Sequence, residues 1–113
     1  AFEAGKGWDY SDPNYIVLGM IIERVTGEKF YTEAQKRILK PLKLEKTFPQ
    51  DRREIKNLIP GYAGANNPFG GKDKVLETGK FIINPQFEWT GDGRVSNAED
   101  LERWANTIYE GRA

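Results

Sequence analysis

The stretch DPNYIVLGMIIERVTG, residues 12 to 27, constrains the chain more than any other. Asp12 can accept a hydrogen bond from first-turn amides. Pro13 suits the first helical turn, where its missing N–H would have no partner. Gly27, after Val25 and Thr26, is a natural C-terminal stop. Between these ends Tyr15, Ile16, Val17, Leu18, Met20, Ile21 and Ile22 leave no polar face until Glu23 and Arg24. A helix apolar all round belongs in the middle of a larger structure, with neighbours on every side. The chain has 113 residues, enough for one core and too few for two ordinary domains. The expectation is therefore one partial domain spanning 1–113, a piece of a larger folding unit. The loop-like start and the lack of an initiator methionine fit the same expectation.

Two further helices are predicted. Phe30 to Lys40 places Phe30, Ala34 and Ile38 on one face and lets Glu33 and Arg37 pair across a turn, and Pro41 ends it. Ser96-Asn97-Ala98-Glu99 reads as a capping box, followed by Leu101, Trp104, Ala105 and Ile108 at i, i+3, i+4, i+7, with Gly111 closing the helix. From Glu45 to Gly93 no helical period is visible, and Gly, Asn and Pro are frequent, the composition of a functional loop region. One short hairpin is expected there, Lys74 to Glu77 with Lys80 to Ile83 around Thr78-Gly79. The predicted fold class is mainly α with a small β-hairpin and long loops.

Composition removes several function classes. Lys plus Arg and Asp plus Glu each number 17, so no large field of either sign attracts nucleic acid or an anionic membrane. The longest apolar run falls well short of the ~20 residues that span a bilayer. There is no His and no Cys, which removes the usual zinc, iron and copper ligands, disulfides, and histidine-assisted nucleophilic catalysis. Acid–base chemistry must come from Tyr, Lys, Asp or Glu. The glycine-rich GANNPFGGKDK fails as a phosphate loop, because Asn66 stands where the first glycine belongs and Asp73 follows Lys72. TGDGRVSNAED fails as a calcium loop, because Arg94 stands where a ligand oxygen is needed. No metal or cofactor is expected. No two carboxylates are spaced to suggest a glycosidase pair.

Most aromatic residues read as core, but Trp8, Tyr62 and Trp89 lie in loops beside glycine or polar residues and are candidates for a ligand pocket. Tyr10-Ser11-Asp12 has two readings from the residues alone. Ser11 or Asp12 caps the helix while Tyr10 packs on it, or the helix holds Tyr10 in an active site.

A resemblance weighs between them. Phe2-Glu3-Ala4-Gly5, then Trp8-Asp9-Tyr10-Ser11-Asp12-Pro13-Asn14-Tyr15 and the apolar run to Gly27, resembles the second-motif region of the serine β-lactamase and penicillin-binding-protein superfamily. It is closest to the class C-like and esterase branch, where Phe-x-Pro-Gly leads to Tyr-x-Asn and a buried helix. Ile38-Leu39-Lys40-Pro41-Leu42-Lys43-Leu44-Glu45-Lys46-Thr47 resembles that family's Ile-Phe-x-Pro-Leu-Gly-Met-x-x-Thr. Thr90 to Leu101 resembles its Gly-Gly-Leu-x-Ser-Thr-x-x-Asp-Leu. The three matches occur in order and span nearly the whole chain.

The resemblance implies the helical lobe of the β-lactamase/transpeptidase-like α+β fold, without its central sheet. It implies a hydrolase that forms an acyl-enzyme on an ester, amide or β-lactam-like substrate, and it leans to a periplasmic or secreted setting. Tyr10 would be the general base or proton relay and Asp12 would occupy the substrate-contacting position, while Trp8 and Trp89, singled out by their loop positions, are the further substrate-binding candidates. A free tyrosine titrates near 10, so acting as a base at neutral pH means a shift of about three units, or ~4 kcal/mol. This sequence departs from the pattern in four places. No Ser-x-x-Lys occurs, no Lys-Thr-Gly or His-x-Gly follows, Ala4 replaces proline, and Asp12 replaces asparagine. The implied partners are a small acyl substrate and the remainder of the parent chain, which would carry the serine and lysine, and the 113 residues alone are expected to be inactive. The alternative is an inactive relative that binds peptidoglycan-like or acyl ligands.

Overall fold

The computed structural model describes residues 2–67, 74, 76–77, 79–91 and 93–112, and for 76 and 77 the backbone. Most regular structure is helical. Helix α1 runs Asp12–Thr26, with Ser11 in extended conformation before it and Gly27 at φ 73° after it, the Gly27 N–H donating to the Glu23 carbonyl. The left-handed turn that ends α1 thus falls on the residue that adopts it without steric cost. The start differs from expectation: the Ser11 side chain makes no cap hydrogen bond, and the Asp12 carboxylate accepts the Tyr10 hydroxyl, not a first-turn amide.

Helix α2, Phe30–Ala34, passes without a break into a π-helical turn over Gln35–Leu39. Its first amide, on Phe30, donates to the Glu23 carboxylate at 2.8 Å, so α1 caps α2 through a side chain. The wider π turn changes which residue faces inward. Leu39 is buried with Ala34, while Ile38 is exposed, because five residues rather than four return the chain to the same face. Glu33 pairs with Arg37 as expected, and it does so with its own side chain almost fully buried.

Two small antiparallel ladders follow. Strand β1 (Phe48–Pro49) pairs with β4 (Arg94–Val95), Phe48 opposite Val95, and Gln50 N–H extends the ladder to the Gly93 carbonyl at 2.7 Å. This pairing across the loop region was not expected. The hairpin was, and it is shorter than predicted: β2 (Leu76–Glu77) pairs with β3 (Lys80–Phe81), with Gly79 at φ 79° in the turn. Arg53 ties the hairpin to the preceding loop, its guanidinium donating to the carbonyls of Phe81 and Ile82. Phe81 and Ile55 form a small core there, with Leu58 and Val95 packed on it. The rejected phosphate-loop stretch lies largely outside the described residues.

Helix α3 spans Ala98–Tyr109. Its N-cap is Asn97 rather than Ser96, the Asn97 side chain accepting from the Asp100 amide at 2.9 Å. The face turned inward is only in part the apolar one predicted, with Trp104 and Ala105 half-buried. Asp100 and Thr107 are buried, while Leu101 and Ile108 are exposed. A cavity of about 420 Å³ opens between the π turn and α3, walled by Ala34, Leu39, Leu44, Leu101 and Trp104. Among the described residues no helix is long and apolar enough to cross a membrane.

Candidate active site

The Tyr10 side chain stands just ahead of α1. Its hydroxyl donates to Asp12 Oδ1 at 2.7 Å, and its ring lies 6.1 Å from that of Tyr15, tilted by 47°. More than half of Tyr10 is open to solvent. The main chain fixes the arrangement. Asp12 is the first residue of α1 and Tyr15 lies within its first turns, so these two groups beside Tyr10 ride on the same rigid element.

That element is clamped from the other side by the segment 88–91. Thr90 Oγ1 donates to the Tyr15 carbonyl at 2.7 Å. Gly19 is the one buried residue of α1, and a Cβ placed on it would come within 2.3 Å of Thr90 Cγ2. The glycine leaves the room that the Thr90 side chain occupies, its Cγ2, Oγ1 and Cβ all within 3.0 Å of where a Cβ would stand. Trp89, held at φ 35°, sets its ring edge-on to Phe30 at 6.1 Å. Arg94 lies over both Phe30 and Tyr31, at 5.5 and 5.8 Å from the ring centres. Burial lowers the Arg94 pKa, an effect Tyr31 opposes. Burial raises that of Tyr31, with Arg94 acting against it and Asp51 with it.

The structure thus brings Tyr10, Asp12 and Tyr15 together and connects them through Thr90 to Trp89. Trp8 is 84% exposed and stands outside this cluster. Tyr62 belongs elsewhere, pairing through its backbone with Lys74, whose ammonium lies 5.8 Å from the Tyr62 ring. Among the described residues no cluster of Asp, Glu, His or Cys has the geometry of a metal site.

The three stretches that carry the sequence resemblance also meet in space. Thr90 joins the third to the first. Asp100, buried in α3, joins the third to the second by accepting from the Lys46 amide and the Thr47 hydroxyl, each at 2.8 Å. Thr47 and Ser96 hydroxyls are 2.8 Å apart, and β1 pairs with β4 beside them. Compared with known families, residues 1–113 match the profile of the Beta-lactamase family over their whole length. The chain belongs to this family.

Among curated relatives, penicillin-binding protein 4* of Bacillus subtilis is 27% identical over 96% of this chain and 25% of its own length. The teichoic acid D-alanine hydrolase of Staphylococcus aureus is 42% identical over 48% of this chain and 14% of its own. Among solved structures, a D-stereospecific amidohydrolase from Streptomyces superposes with a TM-score of 0.78 at 30% identity, over 98% of this chain and 32% of that one. The D-amino acid amidase of Ochrobactrum anthropi shares the fold, with a TM-score of 0.75 at 24% identity. The chain therefore spans a quarter to a third of the length of the relatives it matches nearly end to end. Its helices and short ladders are a part of the β-lactamase fold, the predicted fold class.

Sequence reasoning gave no role to Gly19, Thr90 or Asp100. Each is a small or charged residue whose importance comes from a partner far away in the chain. The signal for Asp100 was present in the Asp-Leu of the third family-like stretch, and for Gly19 in the single glycine inside an apolar helix.

Proposed function

We propose that this chain is the tyrosine-bearing helical part of a serine hydrolase that forms and hydrolyses an acyl-enzyme on an ester or amide. Tyr10 is the general base and proton relay. Asp12 lies where the family's substrate-contacting residue lies, and Trp89 edges the approach. The nucleophilic hydroxyl comes from the remainder of the parent chain, to which α1 docks, and the 113 residues alone turn nothing over.

The observation that carries this reading is the exposed Tyr10 hydroxyl, held at 2.7 Å by Asp12 on the first turn of a helix that is itself pinned by Thr90. A relay must be fixed in direction, and the bond to Asp12 fixes that of Tyr10. The relatives support the substrate class, since one is named for hydrolysis of D-alanine from teichoic acid and another for hydrolysis of amides.

In the full-length protein, Tyr10→Phe is expected to slow turnover of an activated ester by about 100-fold or more, the scale of lost acid–base catalysis. Near-normal turnover would remove Tyr10 from the mechanism. The isolated chain is expected to give no covalent adduct with a serine-directed acylating probe, and an adduct on Ser11 or Ser96 would relocate the nucleophile. A full-length protein that binds acyl ligands tightly but never turns them over would instead be the inactive binding relative.

A further inference from the structure

The cavity of about 420 Å³ between the π turn and α3 takes no part in the chemistry argued above, and neither Tyr10 nor Asp12 lines it. Its volume falls in the range of about 300–1,000 Å³ that holds a small organic ligand. Buried Ala34, Leu39 and Leu44 form its inner wall, and exposed Leu101 and half-buried Trp104 line it from α3. The π turn shapes that wall by turning Leu39 inward, and π turns within helices recur at functional sites. An interior of this kind suits a hydrocarbon body.

The polar side chains on the cavity are Thr47, Arg94, Ser96 and Asp100. Thr47, Ser96 and Asp100 are committed to one another. Asp100 Oδ2 accepts the Lys46 amide and the Thr47 hydroxyl, each at 2.8 Å, which uses the single proton of Thr47. The Ser96 hydroxyl, 2.8 Å from that of Thr47, is then the donor in that pair. The charge of Asp100 is held by these donors and by its place in the first turn of α3, where a carboxylate is favoured.

Arg94 is different. It is exposed and still lines the cavity, which places it at the mouth. Its guanidinium lies over the rings of Phe30 and Tyr31, 5.5 and 5.8 Å from their centres, and among the described residues no carboxylate pairs with it. Ring faces attract the charge but leave the planar N–H fork, which matches a carboxylate through two parallel hydrogen bonds, without an acceptor. The family pattern has leucine at this position, so packing alone does not call for a guanidinium here.

We propose that this cavity binds a small monocarboxylate with an apolar body, of the medium-chain fatty-acid type, its carboxylate on Arg94 at the mouth and its hydrocarbon between the π turn and α3. Charge complementarity selects this occupant. A purely apolar molecule would leave the Arg94 fork unmatched, and a cationic amphiphile would be repelled at the mouth. The inference does not draw on the role of Tyr10.

The test is calorimetric titration of the full-length protein with sodium octanoate and with octanol, which share a chain and differ in charge. Saturable octanoate binding is expected, with octanol at least about 10-fold weaker, the scale of a hydrogen-bonded charge pair. Arg94→Met is expected to weaken octanoate at least about 10-fold and to leave octanol within about three-fold. Arg94→Lys, which keeps the charge without the fork, should fall between, and it carries the test if the methionine variant does not fold. Leu101→Trp, a larger side chain at the mouth, should weaken both probes. Failure of either probe to bind the wild-type protein would mean that the remainder of the parent chain fills the cavity, and it would overturn the inference. Equal affinity for octanoate and octanol would overturn it as well, leaving an apolar slot with no preference for an anion. Octanoate affinity untouched by the changes at Arg94 or at Leu101 would place the acid elsewhere, in the active site if it competes with an ester, and the inference would fall.

Discussion

Lys43 sits in the left-handed region at φ 55°, at the position where the family pattern has glycine. For a residue with a Cβ this conformation costs about 1–2 kcal/mol. The side chain is exposed, and the contact that matters, from the Arg103 guanidinium, goes to the Lys43 carbonyl at 2.6 Å and survives any substitution. Lys43→Gly is therefore expected to stabilise the full-length protein by about 0.5–1 kcal/mol, the relief of strain less the extra freedom of glycine in the unfolded chain. It should appear as a higher urea midpoint at unchanged slope, and a lower midpoint would mean that the lysine side chain contributes more than its backbone costs. Single residues also mark where reading the sequence stops. Ser96 has the ideal local signature of a cap, yet Asn97 caps α3, because the Ser96 hydroxyl lies 2.8 Å from that of Thr47, a residue 49 positions earlier. Asp12 was read as a helix cap or a substrate contact, and its observed partner, Tyr10, is two residues away. The candidate residues were legible because their chemistry is local. The contact that fixes the helix beneath them was not, because Thr90 reaches the Tyr15 carbonyl from 75 residues away.

At the scale of elements, periodicity predicted all three helices with their ends within a residue or two, since start and stop signals are local. It failed on faces. The π turn moved burial from Ile38 to Leu39, and α3 turned Asp100 and Thr107 inward, because hydrophobic period reports the environment in the whole protein and these 113 residues supply only part of it. The α1 contact with segment 88–91 is the element-scale feature that positions the site. Alanine in place of Gly19 would gain up to ~1 kcal/mol of helix propensity. Its Cβ would however meet Thr90 Cγ2 at 2.3 Å and Oγ1 at 2.6 Å, and Thr90 is not free to move while it holds the Tyr15 carbonyl. Overpacking of this kind costs about 1–3 kcal/mol beyond what propensity returns. Gly19→Ala is expected to lower thermal stability of the full-length protein and to slow turnover, through displacement of the turn that carries Tyr15. Thr90→Ser, which removes the nearest carbon and keeps the hydroxyl, should recover part of the loss in the double variant. Additive effects of the two changes would show that they do not touch.

At the scale of the molecule, the chain is too open for its size. Its radius of gyration is 16.7 Å, where about 13 Å is usual for a compact domain of this length. Its accessible surface is 8940 Å², against roughly 6,300 Å² for a folded monomer of this mass. The excess, ~2,600 Å² on one side, is at the upper end of what a permanent interface buries, since totals of about 2,000–5,000 Å² count both partners. Much of it is on α1, where Val17, Leu18, Met20, Ile21 and Val25 are all more than half exposed. The apolar helix that dominated the sequence is thus solvent-facing within these residues, and the rest of the parent chain is the surface it is proposed to meet. That proposal makes one substitution act with opposite sign in two settings. Met20→Lys puts a charge in the middle of the exposed face. In the isolated chain it should reduce self-association and dye binding by hydrophobic surface, measured by light scattering and fluorescence. In the full-length protein the same lysine would be buried without a partner, at a cost of several kcal/mol, and soluble yield and melting temperature should both drop. A full-length protein that tolerates Met20→Lys without loss would show that this face stays open to water, and α1 would then need a different explanation for its composition.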